Sequence, residues 1–224
     1  MGSRFNRQFG LSAGTVPVLP YPILIPPLAA RAYRVAEETG FGADGGVSSS
    51  RPGVGALLAV LAAARPGGRM AELGTGLGAG AAWLLSGMDA AATLVTVELD
   101  ADRAALARDL LATDPRATVI TGGWEDHLPA RAPFDLVFVD SGVSGRLDDE
   151  ETAASVLELV GVGGQLVLDD LTPEAELHPP PAVDPKRAFA LRHPRLVGAE
   201  LYPPGTDGSV GGVRSGLLVA TRVA

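Results

Sequence analysis

A glycine-rich loop, Glu-Leu-Gly-Thr-Gly-Leu-Gly, directly follows a short hydrophobic run and ends at Gly78. Glycines at this spacing permit a tight turn, let the backbone approach a ligand closely and allow the next helix to pack on a sheet. The carboxylate of Glu72 just ahead of them disfavours a pyrophosphate, whereas it can attract a sulfonium or an amino group. We therefore predict a ligand without phosphates, bound by Glu72, Gly74, Thr75, Gly76 and Gly78.

Further candidate contacts to this ligand lie at the ends of the next two hydrophobic runs. Glu98 follows Gly74 by about two dozen residues, a spacing from which a carboxylate accepts both hydroxyl protons of a ribose. Leu99 adjoins it, and Asp100 is better suited to cap the next helix. Gly123 and Trp124 follow the third run. We predict that these two contact an adenine ring, and simple packing of Trp124 is the alternative.

Three aspartates follow the fourth and fifth hydrophobic runs. Asp140 closes the fourth run, and Asp169 and Asp170 close the fifth. In a doubly wound sheet these strands are neighbours, and their carboxyl ends face the ligand crevice. Clustered carboxylates repel one another unless protons or a cation offset the charge, and hard oxygen ligands suit Mg²⁺ or Ca²⁺. We predict a divalent cation at this cluster; the alternative is that the aspartates only order their own turns.

The elements that must position these residues follow from the pattern after Arg69, where β-branched or Leu-rich runs alternate with Ala-rich stretches. This alternation is typical of a parallel sheet covered by helices on both faces. The last two runs are joined by a Gly-rich link with no room for a crossover helix, so they form an antiparallel hairpin. We predict an α/β fold with a doubly wound, seven-stranded, mostly parallel sheet and a terminal antiparallel hairpin. The predicted strands are Arg69–Leu73, Leu94–Glu98, Ala117–Thr121, Phe134–Asp140, Gln165–Asp169, Leu196–Tyr202 and Gly216–Arg222, and the helices between them are Gly78–Gly87, Asp100–Ala112, Trp124–Leu128 and Asp149–Val160.

The 224 residues are rather few for two independent domains, so we predict one globular domain overall. Residues 1–68 form an N-terminal arm and helices, near Leu28–Glu38 and Val54–Ala64, that pack on the ligand-binding part, residues 69–224. Five prolines interrupt the apolar stretch Val16–Ala30. They make it a poor membrane span and a poor signal peptide. We expect this arm to pack on the core or on the second subunit of a homodimer.

The composition of the chain excludes several kinds of binding partner and of catalytic site. The formal net charge is -8 at pH 7, so the phosphates of a nucleic acid would be repelled. The absence of cysteine excludes disulfides, thiolate metal sites and a cysteine nucleophile. We expect a cytoplasmic protein that acts on a small molecule and binds neither nucleic acid nor membrane.

In their order along the chain, these motifs resemble the class I S-adenosylmethionine-dependent methyltransferases related to catechol and caffeoyl-coenzyme A O-methyltransferases. The resemblance runs from about Ser48 to Leu171, more than half of the chain, as an ordered set of motifs of the kind that marks a cofactor site. It is carried by the helix entry with Ser50, Pro52 and Gly53, the glycine loop, the acid that ends strand two, the Phe-Asp-Leu-Val-Phe-Val-Asp run at strand four and the Leu-Val-Leu-Asp-Asp run at strand five.

The resemblance implies S-adenosylmethionine as cofactor and methyl transfer to a hydroxyl of a small molecule, assisted by Mg²⁺ or another divalent cation. It implies that Asp140 and Asp169 are catalytic, that Asp140 also contacts the cofactor, and that Asp140, Asp169 and Asp170 hold the metal. The third of these positions is usually Asn in the family. An Asp there keeps an oxygen ligand and adds a negative charge.

One position departs from the family pattern. A lysine that can serve as base usually stands three residues after the strand-four aspartate, where this chain has Val143. Arg146 stays protonated, so it can steer an anionic acceptor but cannot take a proton. Either metal activation suffices, or the hydroxyl is more acidic, or the metal is not catalytic; His178 is a further candidate base. A metal-independent O- or N-methyltransferase, a non-catalytic S-adenosylmethionine-binding protein and, by fold, a nicotinamide dehydrogenase remain alternatives.

Overall fold

The computed structural model describes residues 23–41, 50–172, 184–203 and 216–224. The first part of the predicted arm, the Gly/Ser segment 42–49, His178 and the Gly-rich link 204–215 lie outside these residues. The helices are α1 (Pro27–Thr39), α2 (Pro52–Ala63), α3 (Ala79–Gly87), α4 (Ala101–Leu111), α5 (Trp124–His127), α6 (Glu150–Leu159) and α7 (Pro185–Arg192), with short 3₁₀ turns at Pro129–Arg131 and Gly142–Arg146. The strands are β1 (Arg69–Leu73), β2 (Thr93–Glu98), β3 (Ala117–Thr121), β4 (Phe134–Val139), β5 (Val160–Leu171), β6 (Leu196–Leu201) and β7 (Gly216–Arg222).

All seven strands form one sheet in the order β3-β2-β1-β4-β5-β7-β6. The first five strands are parallel to one another, and β7 runs antiparallel to both β5 and β6. The predicted doubly wound sheet with a terminal antiparallel hairpin is therefore confirmed. Because β1 lies between β2 and β4, the carboxyl ends of these three strands meet at one edge of the sheet.

Helices cover both faces of the sheet, and each face has its own hydrophobic core. On one face, α1, α2 and α3 pack over β1 and β4, with Leu58, Trp83 and Phe138 fully or almost fully buried. Small residues allow these helices to approach closely, since a Cβ atom on Gly87 would lie 1.9 Å from the Ala59 carbonyl oxygen. On the other face, the core contains residues of α6, α7 and the hairpin. None of the described helices is long and apolar enough to cross a membrane.

Two elements differ substantially from the sequence prediction, whereas the bounds of the other predicted elements agree with it to within two residues. β5 begins at Val160 rather than Gln165, because Val160 pairs with Phe134 before a register shift to the Leu136–Gln165 pair. The helix α7 was not predicted at all. Asp184 accepts a hydrogen bond from the backbone N–H of Arg187, and Pro185 occupies the first helical position. Both are standard helix-start signals that the sequence carried.

Candidate functional site

A pocket with a volume of about 230 Å³ opens at the carboxyl edge of the sheet, between the glycine loop and the ends of β2 and β4. It brings together six of the predicted ligand contacts: Gly74, Thr75, Gly76, Glu98, Leu99 and Asp140. The remaining lining residues are Phe41, Ser50, Leu77, Ala79, Gly80, Arg103, Ser141 and Gly142. The pocket therefore joins the ends of three strands to the segment that follows α1.

The glycine loop requires its glycines for two separate physical reasons. Gly74, Gly76 and Gly78 have φ values of 93°, 52° and 90°, in the left-handed region that favours glycine. A Cβ atom on Gly74 would also lie 2.2 Å from the carbonyl oxygen of Asp140. Gly74 thus lets the loop after β1 press against the end of β4. Gly78 contacts Leu110 of α4 rather than the pocket.

Glu98 fastens the glycine loop to the end of β2. Its Oε2 atom accepts the Gly76 backbone N–H at 2.8 Å. Its Oε1 atom accepts the Asp100 N–H at 3.0 Å and the Arg103 guanidinium at 3.1 Å. A carboxylate offers about four acceptor positions, so roughly one remains on Oε2 for a ligand. Accepting both hydroxyls of a ribose, as predicted, requires one of these internal contacts to be exchanged.

Glu72 lies beneath the loop rather than in the pocket lining. Its side chain is 1% exposed and accepts a hydrogen bond from the Thr96 hydroxyl at 2.6 Å. Burial raises the pKa of Glu72 to about 8, with a smaller contribution from the charge of Glu98, while hydrogen bonds from Thr96 and the Ala81 backbone act in the opposite direction. The carboxyl group packs against Gly80 in the first turn of α3. It therefore joins β1, β2 and α3, and the predicted contact to a ligand remains a prediction.

Gly123 and Trp124 lie at the start of α5 and are absent from the pocket lining. Trp124 is 8% exposed and belongs to the core on the α6 side. Its indole N–H has no hydrogen-bond partner among the described residues. Trp124 therefore packs in the core, as the alternative interpretation expected. Contact of Gly123 and Trp124 with an adenine ring stays a prediction.

The three aspartates end β4 and β5, which are adjacent as predicted. Burial raises the pKa of Asp140 well above its usual range, followed by repulsion from Asp169, Asp170 and Glu72, while a hydrogen bond from Ser50 partly opposes this. Burial likewise raises the pKa of Asp169 to about 7, and the neighbouring charge of Asp170 adds to it. Burial first, and repulsion between the neighbouring carboxylates second, thus both favour the protonated forms of Asp140 and Asp169.

A lysine that the sequence reasoning missed reaches the same cluster. The ammonium of Lys186, in the first turn of α7, donates to the backbone carbonyls of Asp169 at 2.6 Å and Asp170 at 2.8 Å. Burial lowers the pKa of Lys186, and the charges of Asp170, Asp169, Asp184 and Asp140 act in the opposite direction. Arg51 is a second cation whose charge lowers the pKa of Asp169.

The arrangement does not fit the predicted divalent ion at Asp140, Asp169 and Asp170. Across the described ranges, no group of three or more His, Cys, Asp or Glu side chains is placed to hold a metal ion. Oδ1 of Asp169 accepts the Asp170 backbone N–H at 2.8 Å, and Oδ2 of Asp140 accepts the Ser50 hydroxyl at 3.0 Å. A divalent ion needs several oxygen ligands around one position. Here these two oxygens accept internal hydrogen bonds, and the Lys186 ammonium binds the backbone carbonyls of Asp169 and Asp170.

Two further pocket residues, Ser141 and Phe41, were not among the predicted ligand contacts. Ser141 lines the pocket with a buried hydroxyl that has no hydrogen-bond partner among the described residues, so it is available to a ligand. Its place directly after the strand-four aspartate was the available signal. Phe41 approaches the loop, since a Cβ atom on Gly76 would lie 3.4 Å from its ring. No local signal pointed to Phe41. Val143, at the position of the usual lysine, is buried.

Fold and pocket together define a Rossmann-like methyltransferase. The methyltransferase domain family matches residues 71–171 of this chain. A Mycobacterium marinum protein named as an O-methyltransferase is 30% identical over 183 residues, covering 76% of this chain and 80% of its own length. The chain thus belongs to the O-methyltransferase family. A Mycobacterium tuberculosis relative with the same kind of name is 35% identical over 131 residues, and there the match spans only 57% of the relative's length.

Solved structures show the same fold over almost the whole chain. A Klebsiella pneumoniae structure named as an O-methyltransferase is 25% identical with a TM-score of 0.69, and covers 90% of this chain and 93% of its own. The Streptomyces achromogenes O-methyltransferase involved in tomaymycin synthesis, crystallised with S-adenosylmethionine, has a TM-score of 0.70 at 24% identity, with 90% and 92% covered. At that identity, the second likeness shows the fold alone.

Proposed function

We propose that this protein transfers a methyl group from S-adenosylmethionine to a hydroxyl oxygen of a small molecule. The observation that carries the proposal is the pocket itself, in which the glycine loop, Glu98 and Asp140 meet at the carboxyl edge of the sheet. Membership of the O-methyltransferase family supports the same chemistry.

The lining residues suit the proposed donor. The backbone of Gly74 and Gly76 is open to close approach, since neither carries a side chain. Glu98 offers an acceptor for a ribose hydroxyl, and Ser141 offers an unpartnered hydroxyl. The acidic residues in the lining, Glu98 and Asp140, suit a cationic ligand better than a phosphate. The net charge of -8 supports a small acceptor rather than a nucleic acid.

When bound, S-adenosylmethionine supplies a methyl carbon that leaves the sulfonium sulfur and bonds to the acceptor oxygen, which yields S-adenosylhomocysteine. The chain must orient that oxygen and dispose of its proton. Asp140, which lines the pocket, and Asp169, whose charge acts on it, suit the second task, because burial raises the pKa of both carboxyl groups and makes them better proton acceptors. We derive no step through a metal, given the arrangement of the three aspartates.

The test measures two quantities on the purified protein. Calorimetry should show one S-adenosylhomocysteine bound per chain, and a panel of small hydroxylated acceptors should show transfer of a labelled methyl group to oxygen. Absence of S-adenosylhomocysteine binding would refute the donor. Binding without turnover on any acceptor of the panel would favour the non-catalytic alternative, and transfer only to amines would favour N-methylation. Loss of transfer on chelation would restore the predicted metal assistance.

A further inference from the structure

We propose that Lys186, rather than a divalent metal ion, supplies the positive charge of the acidic cluster formed by Asp140, Asp169 and Asp170. Its catalytic consequence rests on the proposed function: the methyl transfer would proceed without a divalent cation. Metal binding by the cluster does not depend on that function and is measured separately from methyl transfer.

Lys186 lies at the end of β5 where the acids stand. Its ammonium is within hydrogen-bond distance of the backbone carbonyls of both Asp169 and Asp170, which precede the last residue of β5. The charges of Asp140, Asp169 and Asp170 all act on it. The ammonium thus binds the backbone beside two of the acids that were predicted to hold the metal, and it lies close enough for the charges of all three to act on it.

Contacts of the neighbouring residues fix the position of Lys186 in the first turn of α7. Asp184 caps α7 through the Arg187 backbone N–H at 2.9 Å. The Arg187 guanidinium then binds Glu200 of β6 at 2.7 and 2.8 Å, and it donates to the Thr172 carbonyl at 3.0 Å. These contacts fix the first turn of α7 against the hairpin and the end of β5. The bidentate ion pair of the adjacent Arg187 therefore fixes the backbone that carries Lys186.

The positive charge of Lys186 also disfavours a divalent ion at the cluster. A buried carboxylate cluster needs either protons or a cation to offset repulsion. A lysine placed here already lowers the negative charge available to a divalent ion and adds repulsion against it. One carboxylate oxygen of Asp140 accepts from the Ser50 hydroxyl, and one of Asp169 accepts from the Asp170 N–H.

The experiment compares Mn²⁺ binding by electron paramagnetic resonance in the full chain and three variants. Wild type should leave the free Mn²⁺ signal undiminished. Lys186→Met removes the charge at similar length, so it should gain one Mn²⁺ site per chain with at least about tenfold higher affinity than wild type. Lys186→Arg keeps the charge and should behave as wild type. Arg192→Met removes the same charge from the other end of α7 and should also gain no site.

The same proteins are assayed for methyl transfer in the presence of a chelator, with S-adenosylhomocysteine binding measured beside it. Wild type should stay active, Lys186→Arg should keep part of the activity, and Lys186→Met should lose most of it without losing S-adenosylhomocysteine binding. A wild-type Mn²⁺ site that Asp169→Asn removes would overturn the proposal. So would a Lys186→Met protein that gains no Mn²⁺ site and keeps full activity in chelator. If Lys186→Met does not fold, the wild-type and Asp169→Asn titrations still decide the question. Failure of S-adenosylhomocysteine binding would refute the donor but leave the metal result standing.

Discussion

Two carboxylates at the ends of adjacent strands, Glu72 and Glu98, have different tasks because their surroundings differ. Glu98 lines the pocket and still has acceptor capacity toward it. Glu72 lies under the loop, where Thr96 donates to one of its oxygens and Gly80 packs against the other. Both carboxylates hold the loop in place, and of the two only Glu98 also lines the pocket.

Replacing Glu98 should therefore weaken donor binding. We expect Glu98→Ala to lower S-adenosylhomocysteine affinity by about tenfold to a hundredfold, since a hydrogen bond to a charged group contributes about 1.5–3 kcal/mol. Calorimetry measures the change, and Glu37→Ala on the exposed side of α1 serves as control. Equal affinity in Glu98→Ala and wild type would show that this carboxylate does not contact the ligand.

The raised pKa of Glu72 makes stability depend on pH. Between the ordinary value of 4.5 and the folded value of about 8, the unfolded chain has lost this proton while the folded chain keeps it. The free energy of unfolding therefore falls as pH rises from 4.5 to about 8, and above that pH the whole contribution of the Glu72 proton is lost. Glu72→Gln cannot ionise and still accepts from Thr96.

We expect Glu72→Gln to equal wild type in stability near pH 4.5 and to exceed it increasingly up to pH 8, by an amount on the order of a few kcal/mol. Urea unfolding of the ligand-free proteins across this range measures the difference. The titrations of Asp140 and Asp169 are present in both proteins and largely cancel in it. A constant difference over the whole range would mean that Glu72 titrates normally.

At the scale of elements, two glycines with positive φ allow the cost of backbone strain to be distinguished from the cost of steric crowding. Gly74 and Gly40 both have positive φ, but a Cβ atom on Gly40 would meet nothing within 4 Å, whereas one on Gly74 would meet the end of β4. Gly40→Ala should cost only about 1–2 kcal/mol of stability from strain. Gly74→Ala should cost clearly more and abolish S-adenosylhomocysteine binding, as measured by unfolding and calorimetry. Equal costs would show that the loop can move away from Asp140.

At the scale of the whole molecule, the pocket draws on β1, β2, β4 and the segment after α1, so a bound ligand should stabilise the fold as a unit. S-adenosylhomocysteine at about a hundred times its Kd should add about 2.7 kcal/mol to the free energy of unfolding. NADH at the same concentration should add nothing. Calorimetric melting measures both, and a single transition would agree with one domain overall. Stabilisation by NADH alone would favour the dehydrogenase alternative.

The sequence by itself determined the sheet. The hydrophobic runs of β1, β3 and β7 were predicted with their observed bounds, because alternation of strand and helix is a property of neighbouring residues. The cap at Asp100 was equally local, and it accepts the Arg103 N–H as expected. The convergence of Gly74, Glu98 and Asp140 also followed, since adjacent parallel strands place their carboxyl ends at one edge.

Only the tertiary structure decided what balances the aspartates and where the acids point. Lys186 reaches Asp169 through the docking of α7 on β6, and Ser50 reaches Asp140 across 90 residues of sequence. Glu72 is buried because α3 begins directly above it. Such contacts join segments that are distant along the chain, so their charges and burial cannot be read from local spacing. The family and the residues that meet in the pocket were thus predictable from the chain, whereas the proposed cation of the acidic cluster was not.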